Sequence, residues 1–292
     1  MKTTYLFKWP LWIGLCLGVI ACIDHQSPEP KKMRVKSLVR ILPEEPGVRH
    51  VSLLTYDSQG KLNEIFTYQT PDSAANQTET STYQYDNLDR LSEMLRIRSG
   101  GEKEHYLYSY DPAGKLAAIK YTSADHTFYD FLLAYDGNGK LLSTKRSFNF
   151  FSALSYVKLN TYSFNENNLS RVVATTTIKR VVPGTWTETA DFVFDSHPNP
   201  FYGNVLIPAP VRIASPTTGN FGHYTYYGGI DNVLHLSENN VVSSSVDGRS
   251  KTTFNYTYES SGLPASRETL ASFTIEGPAQ LTETLLYEYE AY

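Results

Sequence analysis

The stretch Tyr110-Asp111-Pro112-Ala113-Gly114-Lys115-Leu116 decides the fold. An aspartate at the start of a turn accepts hydrogen bonds from backbone N–H groups two residues on. Proline presets φ for the first turn position, and glycine supplies the positive φ that closes a hairpin. The same unit stands at Tyr56-Asp57-Ser58-Gln59-Gly60-Lys61-Leu62, at Tyr85-Asp86-Asn87-Leu88-Asp89-Arg90-Leu91 and at Tyr135-Asp136-Gly137-Asn138-Gly139-Lys140-Leu141. The four tyrosines are 29, 25 and 25 residues apart, the mark of one supersecondary unit repeated. The turn-forming positions are Asp57 with Gly60, Asp86 with Asp89, Asp111 with Gly114, and Asp136 with Gly139. Asp89 replaces glycine in the second copy, and aspartate is one of the few other residues that tolerates the left-handed region.

Weaker copies follow at Phe164-Asn165-Glu166-Asn167-Asn168-Leu169, Phe194-Asp195, Leu236-Ser237-Glu238-Asn239-Asn240-Val241 and Tyr258-Glu259-Ser260-Ser261-Gly262-Leu263. The flanks alternate as strands do: Tyr106, Tyr108 and Tyr110 share one face with Leu107 and Ser109 on the other, and Phe254, Tyr256 and Tyr258 repeat the arrangement. Stacked on neighbouring strands, such residues form a tyrosine ladder. After each turn the apolar pairs Leu62/Ile65, Leu91/Met94 and Leu116/Ile119 are three apart, which a bulge or a short helical turn would reconcile. The expected fold is all-β: an antiparallel meander of hairpins forming a twisted, coiled or rolled sheet. With 22 Tyr and 14 Phe against 3 Met, the composition suits strands rather than helix bundles.

The N-terminus carries an address. Lys2 and Lys8 precede an uncharged apolar run from Leu11 to Ala21, too short for a bilayer span and followed by the polar, proline-containing stretch Asp24-His25-Gln26-Ser27-Pro28. Val19-Ile20-Ala21-Cys22 resembles a bacterial lipobox, which implies cleavage before Cys22 and lipidation of its sulfur. Residues 1–21 are then a signal peptide, 22–33 a flexible linker and 34–292 a single β domain. The expected location is the cell envelope, anchored by lipid at the outer membrane. Without Lys2 and Lys8 the chain keeps 24 basic against 30 acidic residues, which argues against a nucleic-acid partner.

The Tyr-Asp-x-x-Gly-Lys-Leu units resemble the YD repeats of RHS-type bacterial surface proteins, and the whole is similar to uncharacterised lipoproteins with short YD-like arrays. That resemblance implies a sheet that coils or rolls, with no shared catalytic activity. Asp111-Pro112-Ala113-Gly114 matches an RHS self-cleavage element superficially and is read here as the turn of the third repeat.

Between Phe194 and Leu236 the spacing lapses in a Pro/Gly-rich insertion at about 196–233, with Pro198, Pro200, Pro208, Pro210 and Pro216. Its aromatic segment offers Phe221, His223, Tyr224, Tyr226 and Tyr227 as candidate ligand contacts; the alternative is a cap over an exposed sheet edge. No hydrolase elbow, phosphate loop, zinc pair or dinucleotide fingerprint is present. His50, His105, His126, His197, His223 and His235 are scattered singly and read as exposed or turn residues. Asp136-Gly137-Asn138-Gly139 lacks the carboxylates of a calcium loop. The sequence therefore points to a non-catalytic envelope lipoprotein, with no cofactor or metal, that binds a protein or glycan partner. The alternatives are a carrier holding an apolar ligand inside a rolled sheet and a glycan-active hydrolase.

Overall fold

The computed structural model describes residues 32–71, 78–123, 128–151, 154–179, 183–203 and 233–292. Met33–Tyr292 forms one compact unit. Its strands are β1 (Met33–Ile41), β2 (Arg49–Tyr56), β3 (Leu62–Thr70), β4 (Glu79–Tyr85), β5 (Leu91–Arg98), β6 (Lys103–Tyr110), β7 (Leu116–Ser123) and β8 (Phe128–Tyr135). They continue as β9 (Leu141–Phe151), β10 (Leu154–Asn165), β11 (Asn168–Lys179), β12 (Gly184–Pro198), β13 (Asn239–Val246), β14 (Ser250–Tyr258), β15 (Pro264–Ser272) and β16 (Gln280–Ala291). Every neighbouring pair is antiparallel, and β1 pairs with β16, so the meander closes into a 16-strand barrel. The sequence reading left the sheet open or rolled. Closure leaves it no edge, which also removes the edge-cap reading of the insertion.

The repeat explains the closure. In the first hairpin Thr55 pairs with Glu64 and Tyr56 with Leu62, leaving Asn63 as the extra residue of a bulge. The bulge lets Leu62 and Ile65, three apart, both face inward, so it and not a helical turn reconciles the spacing. The same shift follows at Tyr85/Leu91, Tyr110/Leu116, Tyr135/Leu141, Phe164/Leu169 and Tyr258/Pro264.

Two further units are hidden in the sequence. Phe194 pairs with Val241 across the same bulge, so Phe194-Asp195 and the Asn240-Val241 segment are halves of one unit whose turn has been replaced by the insertion. Tyr289 of β16 pairs with Val35 of β1, and Lys36 is the bulged residue before Ser37. The last unit is thus split between the two ends of the chain. Arg34–Glu290 at 2.6 Å and Lys36–Glu288 at 2.7 Å fasten its seam. Eight hairpin units of two strands each account for the whole wall.

The inner face holds the core. Leu38, Ile65, Met94, Tyr106, Ile119, Phe131 and Leu285 are at most 1% exposed, and the tyrosine rows lie among them, buried inside the barrel. Tyr106 and Tyr121 meet with ring centroids 5.0 Å apart. The described ends of the insertion enter this interior. Phe201 joins one cluster, while Val233 and Leu234, from a single 3-10 turn at Val233–Leu236, join the other. Side chains thus occupy space that a barrel of so many strands would otherwise leave as a channel.

Much of the outer face is polar. A cross-strand row runs Glu93, Leu107, Lys120, Asp130, Ser147, Val157 around the wall. Lys120, Asp130, Lys145, Arg171, Lys251 and Glu268 are exposed, and hydroxyl pairs such as Thr175–Thr187 and Thr177–Thr185 fill the positions between them. Some exposed leucines sit among charges: Leu107 pairs with Lys120, and Leu132 and Leu159 both pair with Lys145, whereas Leu53 pairs with Phe66 and Leu286 with Val39.

Candidate functional site

One rim of the barrel carries the tight turns. At each, the aspartate carboxylate accepts from backbone N–H groups of its own turn, as Asp57 does from Gln59 at 2.8 Å and Lys61 at 2.9 Å. Gly60, Gly114 and Gly139 take φ of +83°, +80° and +84° at the reversals, and Asp89 takes +63°. Asp86, Asp111 and Asp136 hold their turns in the same way. Asp89 also pairs with Lys61 of the preceding unit at 2.5 Å. The exceptional residue thus serves an inter-unit contact that local turn rules do not reveal.

Because each tyrosine ends its strand facing inward, its hydroxyl reaches the preceding unit. Tyr56 donates to the Val35 carbonyl at 2.5 Å, Tyr85 to Leu62 at 2.8 Å, Tyr110 to Leu91 at 2.7 Å, Tyr135 to Leu116 at 2.9 Å and Tyr289 to Pro264 at 2.8 Å. In the first four of these contacts a cation stands before the accepting residue and lies over the same ring: Arg34 over Tyr56 at 3.9 Å, Lys61 over Tyr85 at 5.2 Å, Arg90 over Tyr110 at 4.3 Å and Lys115 over Tyr135 at 5.2 Å. Burial pushes the phenols of Tyr56, Tyr85 and Tyr135 up to about 12. The tyrosine and the basic residue of the repeat are therefore the two halves of a contact between neighbouring units.

Inside this rim lies a cavity of about 450 Å³. Its wall is made by β1 to β7, with Tyr56, Tyr85 and Tyr110 beside aliphatic Leu54, Leu62 and Leu91, and Phe201 closes it from the insertion side. Arg34 and Lys61 stand at its edge. Tyr108 lines it too and is 7% exposed; its hydroxyl has no hydrogen-bond partner among the described residues. Burial also drives the Tyr108 pKa upward, so the phenol stays protonated.

Elsewhere in the lumen charges are paired. Arg96, 1% exposed, bridges Glu79 and Glu104 at 3.2 Å each, and Arg98 reaches Glu104 at 2.9 Å. Glu283 takes both Arg267 at 2.6 Å and Arg40 at 2.9 Å. His235 is buried against Phe201, with its pKa lowered to about 3 by burial and by Arg267. Of the two readings of His235, exposed or in a turn, the turn holds, in the 3-10 stretch Val233–Leu236, and the exposed one is corrected: the side chain is buried. His50 and His105 pair with Glu45 and Glu93 at 2.7 Å, and the His197 ring stacks on Tyr258 at 3.8 Å. Among the described residues no three His, Cys, Asp or Glu side chains are grouped to hold a metal ion.

Cys22, His126, Phe221, His223, Tyr224, Tyr226 and Tyr227 lie outside the described residues. Sequence reasoning missed Arg34, Tyr108 and Phe201 as cavity residues. Tyr108 was visible in the alternation of β6, but Arg34 and Phe201 reach the site only through chain closure and the inward turn of the insertion.

A closed antiparallel barrel of tyrosine-linked hairpins, packed inside and largely polar outside, is what the fold and rim define. No protein-family model matches the chain, and no curated relative matches it. Among solved structures, a porin-like protein from Bacteroides uniformis ATCC 8492 shares the fold with a TM-score of 0.55 at 14% identity, over 89% of this chain and 99% of that one. A porin-like protein from Bacteroides vulgatus ATCC 8482 aligns over the same shares at 11% identity, with a TM-score of 0.44.

Proposed function

We propose that this chain is an exported, lipid-tethered barrel that stands in water and binds a small ligand at its tight-turn mouth. The observation that carries this reading is the polarity of the wall. A membrane-spanning barrel alternates apolar outside with polar inside, and lysine or arginine facing lipid at mid-bilayer costs roughly 2–4 kcal/mol. Here the alternation is reversed: Lys120 and Asp130 face outward in mid-wall, and Ile65, Met94, Ile119 and Phe131 face inward. The description of the Bacteroides uniformis protein as porin-like suggests a pore, but outward charges and an interior occupied by side chains argue against that for this chain. Small-ligand sites favour the mouths of β-barrels, and this one has a cavity there.

The tether comes from the lipobox-like Val19-Ile20-Ala21-Cys22. Cell fractionation of the full chain and of Cys22→Ser tests both parts. The wild type is expected in the membrane fraction and the variant in the soluble fraction without detergent. A variant that stays in membranes through alkaline extraction refutes the water-facing barrel; a wild type that is soluble refutes the tether.

A further inference from the structure

We propose that the rim cavity is a slot for a single acyl chain of roughly fifteen carbons, taken up lengthwise with its polar head left outside. This rests on the reading of the rim as a binding mouth and adds the class of molecule that enters it.

The cavity is long and narrow. Tyr56, Tyr85 and Tyr110 line it and end β2, β4 and β6, so each ring stands two strands from the next and the row is roughly 20 Å long at ~4.8 Å per strand. Spread along that row, a volume of about 450 Å³ leaves a cross-section of roughly 20 Å², which one hydrocarbon chain fills. A methylene takes about the space of a water in the liquid, ~30 Å³, so the cavity holds roughly fifteen carbons. A chain of that size covers half the hydrocarbon core of a bilayer, ~15 Å, and fits within the row. The walls suit it. Leu54, Leu62 and Leu91 stand beside the rings, whose hydroxyls commit their protons to backbone carbonyls, and the Tyr108 hydroxyl oxygen is sealed away from the cavity. None of these phenols therefore offers a proton to a polar ligand. The cations at the edge are matched, Arg34 by Glu290 at 2.6 Å and Lys61 by Asp89 at 2.5 Å, so the mouth does not select the charge of the head that stays outside. Met33 lines the cavity only eleven residues after Cys22, a reach of at most ~40 Å, so the proposed tether keeps this mouth beside a store of acyl chains.

The test titrates the full chain carrying Cys22→Ser, which needs no detergent to compete for the site, with fatty acids of about ten to twenty carbons below their micellar concentrations, by calorimetry. Affinity is expected to rise about fourfold per methylene and to stop rising near roughly sixteen carbons, where the slot is full. Palmitoyl lysophosphatidylcholine separates two sources of the same chain: affinity equal to that of hexadecanoate marks a chain still carried by a membrane lipid, and affinity at least about tenfold weaker marks the free acid. Leu91→Trp, whose larger side chain fills the middle of the slot, is expected to move the break to chains roughly four carbons shorter while decanoate stays within about threefold. Met33→Trp, on a residue that is 38% exposed at the end of the slot, makes the same test where Leu91→Trp does not fold. Affinity that ignores chain length, or keeps climbing to twenty carbons, overturns the slot, and a break that neither variant moves overturns its location. If no fatty acid binds while 2-ethylnaphthalene does, the acyl chain is overturned and the mouth stands; if neither binds, the mouth reading falls with it.

Discussion

Replacing Tyr85 by Phe removes one oxygen, keeps the ring under Lys61, and leaves the Leu62 carbonyl without the hydroxyl that now donates to it at 2.8 Å. A lost intramolecular hydrogen bond costs about 1 kcal/mol net, rising toward ~3 kcal/mol if the carbonyl stays out of water. Tyr110→Phe and Tyr135→Phe make the same change at Leu91 and Leu116. Each is two strands from the last, roughly 10 Å at about 4.8 Å per strand, so the effects are expected to add. The triple variant should then lose about 3–5 kcal/mol, read as a lower midpoint in equilibrium urea unfolding followed by circular dichroism, with an unchanged slope. Tyr68→Phe is the control, because Tyr68 faces outward opposite Val51, and its change should stay within about 0.5 kcal/mol. Should the three rung variants prove as neutral as Tyr68→Phe, the hydroxyls do not hold neighbouring units together and the account of the repeat fails. The chain already contains two such changes: Phe164 and Phe194 stand where the first four units have tyrosine.

Two further outcomes follow from the buried charges. His235 is neutral in the fold with a pKa of about 3, while an unfolded histidine titrates near 6.5, so the unfolded state binds the proton first and stability falls as pH drops through that window. At about 1.4 kcal/mol per unit, lowering pH from 7 to 4.5 should cost the wild type about 3 kcal/mol more than His235→Gln, measured as paired urea midpoints; equal losses would rule out a buried neutral imidazole. Arg96→Met leaves Glu79 and Glu104 facing an apolar side chain and should destabilise by about 3–5 kcal/mol, whereas adding Glu104→Leu should recover part of the loss. A double variant no better than the single one in thermal unfolding would contradict the pairing.

What the sequence determined is local. The turns at Gly60, Gly114 and Gly139 were legible because positive φ is a property of a single residue. The face carrying Tyr106, Tyr108 and Tyr110 was legible because strand alternation has a period of two. The three-residue step from Leu62 to Ile65 announced an irregularity, and only the pairing of Thr55 with Glu64 and Tyr56 with Leu62 made it a bulge. Alternation names two faces without saying which is inside; burial of Tyr106 and exposure of Lys120 decided that. Closure was beyond any local reading, because the final unit joins Val35 to Tyr289 from opposite ends of the chain. The cavity depends on that closure, since Arg34 and Phe201 meet Tyr56 and Tyr108 only once the ring is complete and the insertion turns inward. Turns are settled by the dihedral preferences of single residues, whereas sidedness, closure and the mouth arise from contacts between segments far apart along the chain.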